Sequence, residues 1–223
     1  MRRILRIIHE ADYTDKSFYQ TQEMVGAYNH EGDKDVYVKN VGNYATAYSF
    51  SASAAKVTVD KETGQVTLDD FVFGHDCGRP LNTRAVEGQI EGSVLLGFGF
   101  TCYEECIYDK NGRHMNPSFR DYRFPTALDM PKIKTILCGT PDAEGPLGAK
   151  EAGEGSTAPV GSAIGNAINY ATGLVIKELP ITPEKLWRAI KAHEADPSKV
   201  EFGAEGLEEK FANMPPLPKR YNV

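Results

Sequence analysis

The stretch GPLGAKEAGEGSTAPVGSAIGNAINYATG, Gly145 to Gly173, limits what this chain can fold into more than any other. Its first eleven residues hold four glycines, Gly145, Gly148, Gly153 and Gly155, around Lys150, Glu151 and Glu154. Glycine loses more backbone freedom on folding than any other residue, so a plain connector seldom carries this many. The second part is periodic. Val160, Ala163, Ile164, Ala167, Ile168 and Ala171 recur at helical spacing, and Gly173 stands where a left-handed C-terminal cap belongs. The stretch therefore predicts a loop and then a helix, with Glu154 at or just before the helix N-terminus. A carboxylate there has two readings of equal weight. It is either an acid stabilised by the helix dipole, worth about 0.3–1 kcal/mol, or a catalytic group. Glu151 is expected in solvent or paired with Lys150.

Upstream, alternation takes over. From Tyr44 the residues Ala45, Ala47 and Ser49 alternate with Thr46, Tyr48 and Phe50, and Ala55, Val57 and Val59 continue the pattern. DKETG, Asp60 to Gly64, reads as a turn and Val66 to Phe73 as the returning strand of a β-hairpin. The turn lacks the oxygen-ligand spacing of a calcium loop. After the polar turn GHDCGRPLN, the run from Val86 to Cys106 puts Val86, Ile90, Val94 and Leu95 on one helical face. Gly88, Gly92, Gly97 and Gly99 interrupt it, each costing about 1 kcal/mol in a helix. Such a helix is expected to lie against another backbone or a flat ligand.

A second hairpin is expected at Ile107–Tyr108, turning over Asp109 to Gly112, followed by a proline-punctuated loop from Asn116 to Ile133. Lys132 to Cys138 and Val175 to Leu179 read as strands. Thr182 with Pro183 opens a last helix that packs Leu186, Trp187 and Ile190 inward. The organisation expected is a polar leading segment 1–41 (with a short helix at Met1 to Glu10), a domain 42–192, and a polar, proline-rich tail 193–223. The fold class is α+β, with mixed sheets and hairpins against packed helices.

Charge and cysteine usage exclude several function classes. A net charge of −6 and a pI near 5.4 argue against nucleic acid or an anionic membrane surface as partner. No apolar run approaches the roughly 18 residues of a membrane span. Cys77, Cys102, Cys106 and Cys138 are too few and too irregular for a disulfide framework, and read as reduced thiols of a cytoplasmic protein. Cys102 and Cys106, i,i+4 on the expected helix, have no second pair at zinc spacing. GPLGAK lacks the phosphate-loop spacing, and GFGFTC lacks the third glycine of a dinucleotide fingerprint. His75, Asp76 and Cys77 are adjacent, which suits a turn better than a nucleophile, base and orienter in line. Gln89, between Gly88 and Gly92, carries both donors and an acceptor that suit a heterocycle edge, although a surface glutamine is the simpler reading.

Taken as an ordered series, AAKVTVDKETGQV, HDCGRPLN, TRAVEGQIEGSVLLGFGFTCYEE, NPSFRDYRFPTALDMP and GPLGAKEAGEGSTAPVGSAIGNAI resemble the xanthine dehydrogenase family. They look like the C-terminal part of its molybdopterin-binding large subunit, from about Gly42 to Ile190. The forms GPLGAKEAGEG and HDCGR look closest to the 4-hydroxybenzoyl-CoA reductase branch. The resemblance implies that Glu154, after Gly153, is the active-site base beside molybdenum. It implies that Gln89, after Gly88, hydrogen-bonds the pterin. The metal would be held by the pterin dithiolene, with no protein side chain as required ligand.

The implied cofactor is molybdopterin with molybdenum, in plain or cytosine dinucleotide form, with 2Fe-2S clusters and FAD on partner subunits. The implied partners are the remaining large-subunit chain, an iron–sulfur subunit, an FAD subunit, and a small aromatic or CoA-thioester substrate. A family large subunit is several times longer, so the expectation is a naturally split subunit whose first forty residues and tail wrap a partner. The rival readings are a xanthine-, nicotinate- or aldehyde-type hydroxylase, a non-catalytic structural or remnant subunit, and a hydrolase using Cys77 or Cys102.

Overall fold

A β-bulge decides which residues of the central strand reach the core. In the computed structural model, which describes residues 47–143 and 145–203, strand β1 (Ser51–Val59) pairs antiparallel with β2 (Val66–His75). Lys56 faces Asp70 but Val57 faces Leu68, so Asp69 is the extra residue. Its carboxylate accepts from the Thr58 hydroxyl at 2.8 Å. The slip resets the two-residue period and lets Leu68 and Phe71 point to the same face, which strict alternation forbids. Val66, Leu68, Phe71, Phe73 and His75 are all buried as a result. Residues 47–50, expected to begin the strand, form no ladder.

Strand β3 (Lys132–Leu137) pairs with β2 in parallel, giving a mixed sheet of order β1-β2-β3. The connection from β2 to β3 carries helix α1 (Thr83–Cys102), which starts three residues earlier than its apolar period suggests. Asn82 explains the early start, because its side-chain oxygen accepts from the Ala85 N–H at 3.1 Å. The helix stops at Cys102, not Cys106, where the N–H groups of Tyr103 and Glu104 both turn back to the Gly99 carbonyl. Cys102 and Cys106 therefore do not share a helix, and only the first is buried. The expected second hairpin shrinks to a single bridge, Tyr108 to His114, around a turn in which Asp109 accepts from the N–H groups of Asn111 and Arg113.

The glycine-rich stretch ends as expected. Helix α2 (Val160–Thr172) buries Val160, Ile164, Gly165 and Ile168, and closes on Gly173 in the left-handed region at φ 80°. A short strand β4 (Val175–Ile176) pairs in parallel with β5 (Glu201–Phe202), and between them lies helix α3 (Pro183–Ala195). Thr182 caps α3 with Pro183 at its first position, but Trp187 stays 39% exposed while Leu186 and Ile190 go inward. The core is one cluster in which Phe71 and Phe73 of β2 meet Ile90, Val94 and Phe98 of α1, Val160, Ile164 and Ile168 of α2, and Leu186 of α3.

The polar stretch after Ala192 does not leave the fold at once, since α3 runs on to Ala195 and Phe202 joins the core at 4% exposure. The leading segment, the short helix expected in it and the proline-rich end NMPPLPKRYNV lie outside the described residues.

Candidate functional site

Two stretches distant in sequence are laced together by backbone. The turn after β2 and the first half of the glycine-rich loop exchange hydrogen bonds, Arg79 N–H to the Gly148 carbonyl and Lys150 N–H to the Cys77 carbonyl, both at 2.8 Å. The lacing is tight enough to demand glycine. A Cβ on Gly78, whose φ is +63°, would stand 2.3 Å from the Gly148 oxygen, and one on Gly139 would stand 2.3 Å from the Gly78 oxygen.

The three adjacent residues at the end of β2 go to separate tasks. Asp76, mostly buried, accepts from Lys150 Nζ at 2.7 Å, from the Gly78 N–H at 3.0 Å and from the Thr140 N–H at 3.3 Å. Burial opposes its ionisation, but Lys150 and the two N–H groups outweigh it and hold the carboxyl below its ordinary range. Lys150 is thus paired with Asp76, not with Glu151. Cys77 is buried with its thiol pushed upward by desolvation and then by Asp76 and Glu151. Burial pushes Cys102 up to about 12. Both shifts disfavour the thiolate a cysteine nucleophile needs, which counts against the hydrolase reading.

His75, fully buried, sits beneath the second half of the loop with Nε2 3.2 Å from the Glu151 carbonyl oxygen and 3.9 Å from its carboxylate. Glu151 is neither free nor paired with a lysine. Its carboxylate accepts from the N–H groups of Gly153 at 2.9 Å, Glu154 at 3.0 Å and Gly155 at 3.2 Å. Burial works against its charge, while the Gly155 N–H, the Ser49 hydroxyl and His75 together win and lower its pKa.

Glu154 itself is exposed and lies six residues before the first residue of α2, whose N-cap is Pro159. It is therefore not a helix-end acid, since dipole stabilisation fades beyond the first turn. Its backbone is held, with the carbonyl accepting from Thr157 and the N–H given to Glu151. No partner for its carboxylate is found among the described residues, and none for the exposed Gln89 amide.

A pair of serines joins the two candidates' elements. Ser156 donates to the Gly153 carbonyl at 2.7 Å, so the buried 2.7 Å contact between Ser93 and Ser156 has Ser93 as donor. Ser93 is one helical turn beyond Gln89, and Ser156 is two residues beyond Glu154. The clasp ties the turn of α1 that follows Gln89 to the loop that carries Glu154. An open groove of about 320 Å³ is lined by Ala85, Val86 and Gln89 of α1, by Arg79, and by Ala149 and Ala152 of the loop; Glu154 is not part of its lining.

Four glycines of α1 and the loop separate into two kinds. A Cβ on Gly97 would stand 2.5 Å from Val160, so this glycine is needed where α1 crosses α2. At Gly88, Gly92 and Gly153 an added Cβ meets nothing within 4 Å. The chain's own atoms do not require glycine at those three positions, so the space beside their backbone is open. Among the described residues no group of His, Cys, Asp and Glu could itself hold a metal ion.

The sequence reading missed Ser93, Ser156 and the roles of Glu151 and Asp76. For Asp76 a signal existed, because Asp-x-Gly favours a side chain that accepts from the N–H two residues on. Two serines in a glycine-rich background give no such signal.

The molybdopterin cofactor-binding domain family matches residues 5–131, more than half of the chain, including Gly88 and Gln89 but not the loop of Gly153 and Glu154. The xanthine dehydrogenase molybdenum-binding subunit of Escherichia coli O157:H7 is 36% identical over 140 residues, covering 62% of this chain and 19% of that protein. The nicotine 6-hydroxylase large subunit of Paenarthrobacter nicotinovorans is 37% identical over 147 residues, covering 65% and 18%. The quinoline 2-oxidoreductase of Pseudomonas putida 86 superposes with a TM-score of 0.58 at 36% identity, over 60% of this chain and 18% of that one. The chain belongs to the molybdopterin cofactor-binding domain family, and it spans about a fifth of the length of the curated relatives it matches.

Proposed function

We propose that this chain supplies the base and part of the pterin site of a molybdenum-dependent oxidoreductase, acting with a second chain that carries the rest of the large subunit. The observation that carries the reading is the pairing of a rigidly held loop with an unengaged carboxylate. The backbone around Glu154 is hydrogen-bonded on both sides, while the carboxylate is exposed and unpartnered among the described residues. A side chain with no partner among the described residues, on a loop this constrained, is suited to moving a proton at a fixed point.

Gln89, exposed on the first half of α1 with no partner for its amide among the described residues, would donate to and accept from the edge of the pterin. Gly88 and Gly153 leave room for the cofactor to approach backbone, because a side chain at either would occupy space the domain leaves open. When bound, the molybdenum cofactor supplies the oxygen-transfer and two-electron chemistry that no side chain here provides. Glu154 would move a proton at its carboxylate, accepting it where oxygen is added to a substrate carbon and donating it where a hydroxyl leaves as water. Cofactor in the plain or cytosine dinucleotide form, and 2Fe-2S and FAD partners that would deliver electrons for a reductive dehydroxylation or carry them away for a hydroxylation, complete the unit by family resemblance.

The substrate we infer is an aromatic ring presented as a CoA thioester, of the 4-hydroxybenzoyl-CoA kind, which such an enzyme would dehydroxylate reductively. The forms GPLGAKEAGEG and HDCGR support this choice. The relatives named for xanthine and nicotine support purine or pyridine hydroxylation as the second choice. Thiols read as reduced suit a cytoplasmic location, and no helix among the described residues is long and apolar enough to cross a membrane.

The test is to isolate the tagged full chain from its own host, count molybdenum and iron per chain, and assay the complex against a panel of aromatic thioesters, purines and pyridines. Molybdenum and iron arriving with a second large-subunit chain are expected. Glu154→Gln in that complex should lower turnover by about 10²–10⁴-fold with molybdenum retained. A metal-free chain that comes down alone would overturn the split-enzyme reading, and unchanged turnover would remove Glu154 from the chemistry.

A further inference from the structure

We infer that Glu151 is a positioning residue, clamped by His75, that fixes where the Glu154 carboxylate points. The inference rests on the proposed role of Glu154 as base. Three consecutive N–H groups, those of Gly153, Glu154 and Gly155, converge on one carboxylate at 2.9, 3.0 and 3.2 Å. Successive N–H groups converging this way form an anion-binding concavity. Here the chain fills it with its own side chain and so fixes the backbone on both sides of Glu154. A neutral amide in that place would offer one acceptor oxygen instead of two, and alanine none.

The carboxylate is itself held from below. His75 is completely buried at the end of β2, and its ring meets both the Glu151 backbone oxygen at 3.2 Å and its carboxylate at 3.9 Å. Gly155 supplies the space. A Cβ there would stand 2.3 Å from Glu151 Oε1 and 3.1 Å from His75 Cε1, so any side chain at 155 displaces the clasp. The unit His75–Glu151–Gly155 thus ties the loop's aim to the central strand of the sheet. Glu151 need not touch substrate or cofactor, which separates its role from that of Glu154.

The experiment uses the complex isolated from its host, with Glu151→Ala, Glu151→Gln, Gly155→Ala and Glu154→Gln compared with the parent. Amide hydrogen exchange is read over residues 152–158, together with kcat, KM and molybdenum content. Losing hydrogen bonds to a charged acceptor should speed exchange of the three amides by about tenfold or more in Glu151→Ala and Gly155→Ala. The same two variants should lose kcat by about 10- to 100-fold through misplacement of the base. KM and molybdenum content should be unchanged.

Glu151→Gln keeps an acceptor near the Gly153 and Glu154 N–H groups and should recover most of both readouts. Exchange as slow in Glu151→Ala as in the parent overturns the clasp, whatever the kinetics. Fast exchange with undiminished kcat in Glu151→Ala, in a complex that Glu154→Gln inactivates, overturns the aiming role alone. Full turnover in Glu154→Gln overturns the base assignment and the aiming role with it, while the exchange rates still judge the clasp.

Discussion

Cys102 is 4% exposed at the end of α1, and desolvation there raises its thiol to about 12. In the unfolded chain the same thiol titrates near its ordinary value of 9.0. Between those two values the unfolded state sheds a proton that the folded state keeps, so the unfolded state binds fewer protons and stability falls as pH rises. The contribution is whole below pH 9, and the loss is at most about 1.4 kcal/mol per pH unit above it. Urea titrations of the full chain at neutral pH, pH 9 and pH 10.5 should show this decline. Cys102→Ala should flatten it, at a cost of about 1 kcal/mol at neutral pH from the lost sulfur. Parallel decline in parent and variant would show that another group is responsible. Residue chemistry of this kind is only half visible in sequence. The pattern marked Cys102 as a reduced thiol without zinc spacing, but Glu151 beside Lys150 invited an ion pair, whereas Lys150 crosses to Asp76, which is 74 positions away. Nothing local in KEAGEG could reveal that.

At the scale of elements, α1 shows how one residue type can serve opposite ends. Replacing a helical glycine by alanine ordinarily stabilises by about 1 kcal/mol, because alanine restricts the unfolded backbone and favours the helix. Gly88→Ala and Gly92→Ala should follow that rule, since the new Cβ meets nothing within 4 Å. Gly97→Ala should reverse it, because its Cβ would stand 2.5 Å from Val160 and force α1 away from α2. Overpacking of that sort costs about 1–3 kcal/mol. Urea midpoints of the three variants should therefore move in opposite directions within one helix, and a stabilised Gly97→Ala would show that the two helices do not cross so closely.

The sequence marked all four glycines of this helix and their common expectation, a backbone or a flat ligand alongside. It could not divide them, because the division depends on what packs against each: Val160 of α2 at Gly97, Glu104 and Pro125 at Gly99, and nothing within 4 Å at Gly88 and Gly92. The returning strand read from Val66 to Phe73 is present and runs on to His75, with a bulge inside it at Asp69, whereas the alternating residues 47–50 form no ladder. The end of α1 was overrun because the return of two N–H groups to Gly99 has no residue signature.

For the molecule as a whole, the boundary of the folded unit is the property that local pattern describes least. Residues after Ala192 are polar and, scanned alone, suggest a tail. The structure instead pairs β5 with β4 and carries Phe202 into the cluster formed by all the major helices and β2. One aromatic side chain in a polar stretch has no period, so only the tertiary fold reveals that it is core. Gly203 supports the same point. Its φ is +83°, and a Cβ there would stand 2.1 Å from the Glu178 Cβ, so the chain passes close to the segment between β4 and α3. If the domain does extend through β5, Phe202→Ala in the full chain should cost about 3–5 kcal/mol, as for other buried phenylalanines, and should do so in one cooperative transition. A loss of a few tenths, the size expected for a surface residue, would return the segment to the tail and leave α3 as the last element of the fold. The same variant bears on the candidate site at a distance. Phe202 belongs to the same core cluster as Val160, Ile164 and Ile168 of α2, the helix that follows the Glu154 loop. A large stability loss with the exchange of residues 152–158 unaltered would then show that the loop is held by its own clasp and not by the core behind it.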